Sequence, residues 1–253
     1  MQSEVHSFAS LEHLCRAAAD QIVRLAQAAV EARGRFVWAL SGGRTPSSLY
    51  RSLTQNPWRG AFPWAQTQFF WSDERWVKPD DPQSNYALAH KTLLEHVSVP
   101  ALQVHPMPTF AATLADGARE YEDGLHAFFA GREPVFDLIL LGVGPDGHTA
   151  SIFPGNEPAP PEAWVAATEA PPGSPVTQRL TLTLSLINRA RTVIFLIAGE
   201  EKKTRVRELL EAPELARSYP AGNVRPQERL IWFLDHAAAR DLRDRGRVHP
   251  AGE

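Results

Sequence analysis

The stretch FDLILLGV at residues 136–143 is an almost unbroken apolar run that leads into a glycine-rich polar loop. A short run that is apolar on both sides predicts a strand buried on both faces of a parallel sheet. Shorter runs elsewhere in the chain predict further strands at 36–40, 67–71, 180–184, 192–198 and 230–234.

Segments with helical spacing lie between these strands. Apolar residues recur every three or four positions from Leu11 to Arg33, where Ser10 can cap the start and Gly34 can end the helix. Other segments predict helices at 47–53, 86–97, 111–129, 200–210 and 236–245. Strands that alternate with helices indicate an α/β fold with a mostly parallel open sheet and helices on both faces, a Rossmann-like arrangement.

Length and composition limit the class of protein. The 253 residues, 43% hydrophobic and 22% charged, predict a single globular domain over 1–253 and argue against a disordered or coiled-coil chain. The net charge of −3 is too balanced for a nucleic-acid-binding surface. Cys15 is the only cysteine, which excludes an internal disulfide and a cysteine-built zinc site, and its position on the apolar helix face predicts burial.

The sequence shows neither an apolar run long enough to span a membrane nor an export signal, so we expect a cytoplasmic protein without a membrane partner. No motif has the spacing of metal ligands, and we expect neither a metal nor another cofactor. The polar stretch 72–84 predicts a loop, the Pro-rich stretch 154–175 a surface excursion, and the charged tail 240–253 a frayed end.

The residues that follow each strand are the candidates for a site, because ligands of open α/β sheets bind at the carboxyl ends of the strands. Ser41, Gly42, Gly43, Arg44 and Thr45 follow the first predicted strand and lead into a helix. The glycines allow a close approach of the backbone, and the helix N-terminus offers N–H groups to a phosphate. An ordinary glycine turn is the alternative interpretation.

Charged side chains follow other strands. Asp73 and Arg75 belong to a run of three charges directly after an aromatic strand, a position that favours function over a solvated loop. Arg179 opens a predicted strand, and Lys202 follows another. Both can neutralise a phosphate, although each on its own also fits an ordinary surface cation.

Asp146 and His148 lie in the loop GVGPDGHTAS, directly after the strand at 136–143. In an extended segment, side chains two residues apart project the same way, so the carboxylate can orient the imidazole and set its tautomer. Such a pair has the equipment of a general base, whereas an isolated histidine is more often structural. Three glycines in the loop leave the ring uncovered, which favours catalysis.

Several of these motifs together carry a resemblance to a known family. They are SGGRTP at 41–46, SDERWV at 72–77, SNYALAHKTLL at 84–94, LGVGPDGHTASIFPG at 141–155, RLTLTLSLINRAR at 179–191, GEEK at 199–202 and WFLDHAA at 232–238. In this order, over nearly the whole chain, they resemble the glucosamine-6-phosphate isomerase/6-phosphogluconolactonase family. The segment 141–155 is the most specific. The resemblance implies the fold shared by glucosamine-6-phosphate deaminase and ribose-5-phosphate isomerase.

The resemblance also implies an activity, the hydrolysis of 6-phospho-D-glucono-1,5-lactone to 6-phospho-D-gluconate in the oxidative pentose phosphate pathway. His148 would then act as the general base, while Asp146 orients it or holds the substrate. Arg75 and backbone N–H groups are candidates for stabilising the oxyanion. Asp73 would contact sugar hydroxyls or hold Arg75.

The 6-phosphate of this small-molecule partner would be held by the loop 42–45 together with Arg179 and Lys202. A monomer and a small homo-oligomer both remain open. In one respect the chain departs from the family, because Pro220-Ala221-Gly222 stands where Pro-Ala-Ser is common. We therefore assign no role to Gly222 or Asn223.

Two other functions are compatible with this fold. A deaminase or isomerase of glucosamine 6-phosphate carries Ala-Phe-Asn-Glu after the histidine, whereas this chain has Ala150-Ser151-Ile152-Phe153. A non-catalytic sugar-phosphate sensor is the other alternative. Such sensors are usually fused to a helix-turn-helix, for which we expect no room ahead of the first helix, and the retained Asp146 and His148 argue against a dead site.

Overall fold

The computed structural model describes residues 3–243 and 247–249. Within these residues ten strands form two sheets: β1 Glu4–Phe8, β2 Phe36–Leu40, β3 Thr67–Trp71, β4 Asp73–Arg75, β5 Leu138–Leu141, β6 Val165–Glu169, β7 Gln178–Leu182, β8 Thr192–Ile197, β9 Arg229–Asp235 and β10 Arg247–His249. The described part of the chain also contains eight α-helices: α1 Leu11–Arg33, α2 Arg44–Leu53, α3 Trp58–Ala61, α4 Asn85–Thr92, α5 Leu114–Phe128, α6 Leu184–Ile187, α7 Lys203–Glu211 and α8 Pro213–Ala216.

The large sheet has seven strands in the order β10-β1-β9-β8-β5-β2-β3, and every neighbouring pair is parallel. Every residue of β2, β5 and β8 is buried, so both faces of the sheet centre are covered. This agrees with the predicted α/β fold. The apolar runs predicted those strands because a strand covered on both faces needs apolar side chains on both.

Helix α1 begins and ends where the sequence predicts. The Ser10 side chain accepts a hydrogen bond from the backbone N–H of His13, and Gly34 ends the helix with φ +71°. Cys15 is buried on its apolar face, as expected, and burial raises the pKa of its thiol to about 12. None of the helices within residues 3–243 is long and apolar enough to cross a bilayer.

A second, antiparallel sheet of three strands, in the order β4-β7-β6, corrects two predictions. The stretch 72–84, predicted as a polar loop, contains β4, and the predicted surface excursion 154–175 contains β6. Both strands are short. Strand β4 consists of three charged residues and β6 mixes polar with apolar ones, so their backbones pair without a strong apolar pattern.

The chain ends hold further corrections. Strand β1, which the sequence did not predict, lies between β9 and β10 in the large sheet. The segment 236–241, predicted as helix, forms turns, and residues 244 and 245 of that prediction lie outside the described residues. The tail predicted to fray contains β10, which pairs with β1. Residues 244–246 and 250–253 of the tail lie outside the described residues.

Other boundaries shift by a few residues. Helix α2 begins at Arg44 rather than at 47, and α5 begins at Leu114 behind the capping side chain of Thr113. Helix α4 ends at Thr92 and is followed by a separate 3₁₀ turn. The segment predicted as one helix from residue 200 begins with a 3₁₀ turn and becomes α-helical at Lys203.

The departure at Gly222 has a steric reason. The segment Pro220–Asn223 is a 3₁₀ turn, and a Cβ atom placed on Gly222 would lie 1.9 Å from the carbonyl oxygen of Ala216. The neighbouring Ala221 N–H donates to the Gly147 carbonyl at 3.1 Å, which ties this turn to the loop of His148. A glycine here therefore permits a close approach of two backbone segments.

We predict that Gly222→Ala lowers the free energy of unfolding by about 1–3 kcal/mol, because backbone atoms must shift to admit the methyl group. Urea denaturation measures the change. Gly124→Ala is the matched control: Gly124 is exposed on α5, and its added methyl group would meet no atom within 4 Å, so the change should stabilise by about 1 kcal/mol. A Gly222→Ala protein as stable as the wild type would contradict this account of the turn.

Candidate active site

The loops that follow β2, β3, β5 and β8 open at one edge of the large sheet, because parallel strands end at the same side. The register pairs Leu40 at the end of β2 with Trp71 at the end of β3, and Leu141 of β5 with Phe195 of β8. The loops that follow these strands carry the candidate residues of the sequence except Arg179, which lies on β7 of the small sheet.

The first loop ends in a helix N-terminus that lacks a capping side chain. Gly43 has φ +105° and precedes α2, and no side chain bonds to the first N–H groups of that helix. Ser41 is held by Tyr50, whose hydroxyl donates to the Ser41 carbonyl at 2.7 Å and accepts from its N–H at 3.0 Å. The uncapped N–H groups and the helix dipole favour an anion at this position.

His148 and Asp146 meet in a tight turn. The Nδ1 atom of His148 lies 2.6 Å from Asp146 Oδ1, so the ring donates this proton to the carboxylate and leaves the Nε2 lone pair on the other side. The His148 side chain is 30% exposed, and Nε2 has no partner within the described part of the chain. The Phe153 ring packs beside the imidazole, with 4.7 Å between ring centroids.

The contact is the one the spacing predicts, but the backbone is not extended. A turn closes through the Gly147 N–H and the Gly144 carbonyl at 3.0 Å, and Gly147 has φ +87°. A Cβ atom on Gly144 would lie 2.1 Å from His148 Nδ1 and 2.6 Å from Asp146 Oδ1. Glycine at 144 is therefore what leaves room for the pair.

The candidate cations form two groups with different charged neighbours: Arg75 with Arg179, and Arg44 with Lys202. Arg75 on β4 pairs directly with Arg179 on β7, and the buried Nε of Arg75 has no hydrogen-bond partner. Burial lowers the pKa of Arg179, and the charge of Arg75 lowers it further, whereas the carboxylates of Asp73 and Glu74 act to raise it. Two like charges on paired strands repel, so an anion between them would stabilise this arrangement.

Lys202 belongs to the other group, with Arg44 of the first loop. Burial lowers the pKa of Lys202, and the charge of Arg44 acts in the same direction, whereas Glu201 and Asp146 act to raise it. Lys202 thus lies within electrostatic reach of both the glycine loop and the Asp146–His148 turn. The resemblance implies that Arg179 and Lys202 hold one phosphate. In the structure, Arg179 has Arg75 as a charged neighbour and Lys202 has Arg44.

Asp73 is buried, and its contacts differ from the expectation that it holds Arg75. Its Oδ1 accepts from the Asn85 amide at 3.2 Å, and its Oδ2 accepts from the Ser151 hydroxyl at 2.6 Å. Arg75 instead donates from Nη1 to the carbonyl of Gln83 at 2.6 Å. Asp73 therefore joins other loops rather than positioning Arg75.

Sequence reasoning missed three buried residues around Asp73. Glu74 accepts hydrogen bonds from the backbone N–H groups of Arg75, Asn85 and Tyr86, and burial raises its pKa while those donors act to lower it. Asn85 and Ser151 bond to Asp73 itself. Asn85 and Ser151 lie within the motifs SNYALAHKTLL and LGVGPDGHTASIFPG, but nothing local indicates that their side chains reach another loop.

Within residues 3–243 and 247–249, no group of three or more His, Cys, Asp or Glu side chains is placed to hold a metal ion. The chemistry that these residues themselves offer is a proton acceptor, His148 Nε2, in a site that also carries cationic side chains. Such a combination suits attack by water on an anionic substrate.

Comparison with known proteins gives consistent relatives. The family model described as glucosamine-6-phosphate isomerases/6-phosphogluconolactonase matches residues 9–232. A 6-phosphogluconolactonase from Synechocystis is 44% identical over 218 residues, which cover 85% of this chain and 88% of that protein. A 6-phosphogluconolactonase from Rattus norvegicus is 38% identical over 93% of this chain and 92% of its own.

Solved structures have the same architecture. The crystal structure of 6-phosphogluconolactonase from Thermotoga maritima superposes with a TM-score of 0.78 at 32% identity, over 91% of this chain and 99% of that one. A monomeric glucosamine-6-phosphate deaminase superposes with a TM-score of 0.79 over 93% and 99%, but at 20% identity, so that likeness concerns the fold alone.

We predict that Gly144→Ala breaks the hydrogen bond between His148 and Asp146, because the added methyl group would overlap both side chains. Long-range ¹H–¹⁵N NMR correlations of the ring should show the proton on Nδ1 in the wild type and its loss from that position in Gly144→Ala. The spectrum of His148→Gln assigns the signal. Gly142→Ala is the control, since its methyl group would meet no atom within 4 Å and should leave the spectrum unchanged. A wild-type spectrum from Gly144→Ala would contradict the geometry.

Proposed function

The chain belongs to the glucosamine-6-phosphate isomerase/6-phosphogluconolactonase family, and on that premise we propose that it is a 6-phosphogluconolactonase. The proposed reaction is the hydrolysis of 6-phospho-D-glucono-1,5-lactone to 6-phospho-D-gluconate, a step of the oxidative pentose phosphate pathway. The observation that carries the proposal is the His148–Asp146 pair, with Nδ1 bound to the carboxylate and Nε2 available.

In the proposed mechanism His148 Nε2 removes a proton from water as the water oxygen attacks the lactone carbonyl carbon. The new C–O bond places the carbonyl electron pair on oxygen, which gives a tetrahedral oxyanion. Collapse of this intermediate breaks the bond to the ring oxygen, and the imidazolium returns its proton to that leaving oxygen. Asp146 holds the ring tautomer and stabilises the imidazolium. No covalent enzyme intermediate is required.

The two cation groups serve the two ends of the substrate in this proposal. Because the uncapped start of α2 offers backbone N–H groups, we assign the phosphate to Ser41–Thr45 with Arg44 and Lys202. Arg75 and Arg179 act as one unit, because they pair across two strands, and stabilise the charge that develops on the carbonyl oxygen. Arg179, which the resemblance places at the phosphate, is thus assigned to the carbonyl end of the substrate.

Asp73 is assigned to structure rather than to proton transfer. Both of its carboxylate oxygens are engaged, and the residue is 6% exposed. A proton acceptor must reach the reacting group, which His148 does more readily from its partly open position.

The position where the deaminase pattern has its acidic residue favours the lactonase. When Ala150-Ser151-Ile152-Phe153 is set against Ala-Phe-Asn-Glu, Phe153 takes the place of the glutamate. In the structure this aromatic ring packs beside His148. A site with a phenylalanine here offers no carboxylate for opening a sugar ring.

The decisive experiment follows acid release from freshly generated 6-phosphogluconolactone, with and without the purified protein. We expect hydrolysis far above the spontaneous rate, and no ammonia from glucosamine 6-phosphate. Ammonia release would favour the deaminase. Tight binding of a sugar phosphate with turnover of neither compound would favour the sensor.

We predict that His148→Ala lowers kcat by about 10²–10⁴-fold, the usual effect of losing a general base. Steady-state kinetics on the phosphorylated lactone, corrected for spontaneous hydrolysis, measure the change. His90→Ala is the control, because His90 is half-exposed on α4 and away from the turn of Asp146. Wild-type turnover in His148→Ala would remove this histidine from the mechanism.

Kinetics on a phosphorylated and an unphosphorylated lactone distinguish the roles of the two cation groups. Lys202→Ala should raise KM for the phosphorylated lactone about tenfold or more, the cost of one charge-assisted hydrogen bond, and should leave unphosphorylated glucono-1,5-lactone unaffected. Arg179→Ala should slow both substrates alike. Lys203→Ala is the control for the adjacent lysine, whose ammonium pairs with Glu200 at 3.0 Å. The reverse pattern would place the phosphate between Arg75 and Arg179.

A further inference from the structure

The side chain of Asn85 lies between two loops of the site. Asn85 is the first residue of α4 and is 1% exposed. Its amide nitrogen donates to the backbone carbonyl of Asp73 at 2.8 Å and to Asp73 Oδ1 at 3.2 Å. Because both acceptors require N–H donors, the NH₂ group must face Asp73, and the amide oxygen must face the other way.

The amide oxygen of Asn85 is packed against the glycine loop. A Cβ atom on Gly42 would lie only 1.8 Å from Asn85 Oδ1 and 2.4 Å from its carbonyl carbon. Asn85 Oδ1 is buried and has no hydrogen-bond partner among the described residues. Burying an unpaired polar atom costs free energy, which the hydrogen bonds of the amide nitrogen to Asp73 must offset. The loop at 41–45 thus rests on this side chain at a position where only glycine fits.

Asn85 is also held firmly in place itself. Its backbone N–H donates to Glu74 Oε1 at 2.7 Å, and the same carboxylate accepts from the N–H of Tyr86 at 2.7 Å. Glu74 is 2% exposed. The start of α4 therefore cannot drift relative to β4, and the amide holds a constant position between Asp73 and Gly42.

The third loop is attached to the same carboxylate. Ser151, three residues after His148, donates from its hydroxyl to Asp73 Oδ2 at 2.6 Å, and its N–H donates to the Thr181 hydroxyl at 3.2 Å. Asp73 is thus held by Asn85 on one side and by Ser151 on the other. Through it, the glycine loop and the His148 loop are connected by side chains that are all buried.

We propose that Asn85 is a positioning residue that sets the distance between the glycine loop and the His148 loop by acting through Asp73. The proposal rests on the proposed function, in which the first loop binds the phosphate and the second carries the base. A substrate bound at both loops reacts only when that distance matches the separation of its phosphate and its lactone carbonyl. A misplacement of about 1 Å can cost about 10²-fold in rate.

The test compares two variants that break the connection at different points. Asn85→Leu has a similar volume but offers no polar contact to Asp73, so the side chain that packs against Gly42 is no longer attached to Asp73, while Ser151 still holds the His148 loop. For this variant we expect kcat/KM on the phosphorylated lactone to fall about 10–100-fold, with turnover of unphosphorylated glucono-1,5-lactone nearly unchanged. Ser151→Ala frees the His148 loop instead, so both substrates should slow by the same factor.

The contact between Asn85 and Gly42 has its own test in a double-mutant cycle. Gly42→Ala should cause a loss selective for the phosphorylated lactone, because its methyl group pushes against the amide oxygen. In Gly42→Ala/Asn85→Ala the overlap is relieved, so the double variant should be no worse than Asn85→Ala alone. Additive losses would mean that the two residues do not act on each other.

A merely structural role gives a different result. If Asn85 only stabilises the fold, Asn85→Leu should lower the unfolding temperature and reduce the activity on both substrates in parallel, which overturns the proposal. Should Asn85→Leu not fold, Asn85→Ser, which still suits a helix start, should show the same selective loss. An inactive wild-type protein would instead contradict the proposed function, so the two failures are distinguishable.

Discussion

The parallel alignment of all seven strands in the large sheet is the constraint on which the site depends. Each crossover returns the chain to the same end of the sheet, so the loops that leave the other end open together. Residues as distant in sequence as Arg44, His148 and Lys202 therefore reach one edge. The sheet determines which loops meet, but it leaves their exact separation to the side chains between them.

Buried polar groups set that separation. Asp73 and Glu74 are almost fully buried at the start of β4, yet each carboxylate accepts several hydrogen bonds, which offsets the cost of removing it from water. A network of this kind is rigid, because any displacement leaves a buried donor or acceptor unsatisfied. Arg75 directly follows Glu74, so the short strand β4 carries both the buried carboxylates and one of the cations.

The sequence predicts what is determined locally. The strands at 36–40 and 67–71 are found at the predicted bounds. The first is a continuous apolar run, as a strand covered on both faces needs, and the second is marked by Phe69, Phe70 and Trp71. Strand β1 escapes notice because it has no apolar run: its sequence EVHSF has polar residues at 4, 6 and 7, and Glu4 carries a charge. That charge is satisfied by a bidentate contact with Arg229, with both N–O distances 2.9 Å, from the far end of the chain. The pairing of β4 with β7 likewise depends on strands about a hundred residues apart, and no local pattern records it.

The residues of the site also differ in whether the local sequence predicts their contacts. The contact between Asp146 and His148 is predictable because both belong to one loop, even though a turn built on Gly144 and Gly147, rather than an extended backbone, brings it about. Asn85 is not predictable, because an asparagine at a helix start is commonly a local capping group. Here Ser84 provides the cap, and the amide of Asn85 is left to reach two other loops. Residues that carry the chemistry can be recognised by type and spacing, whereas residues that set distances between loops are recognisable only from their neighbours in space.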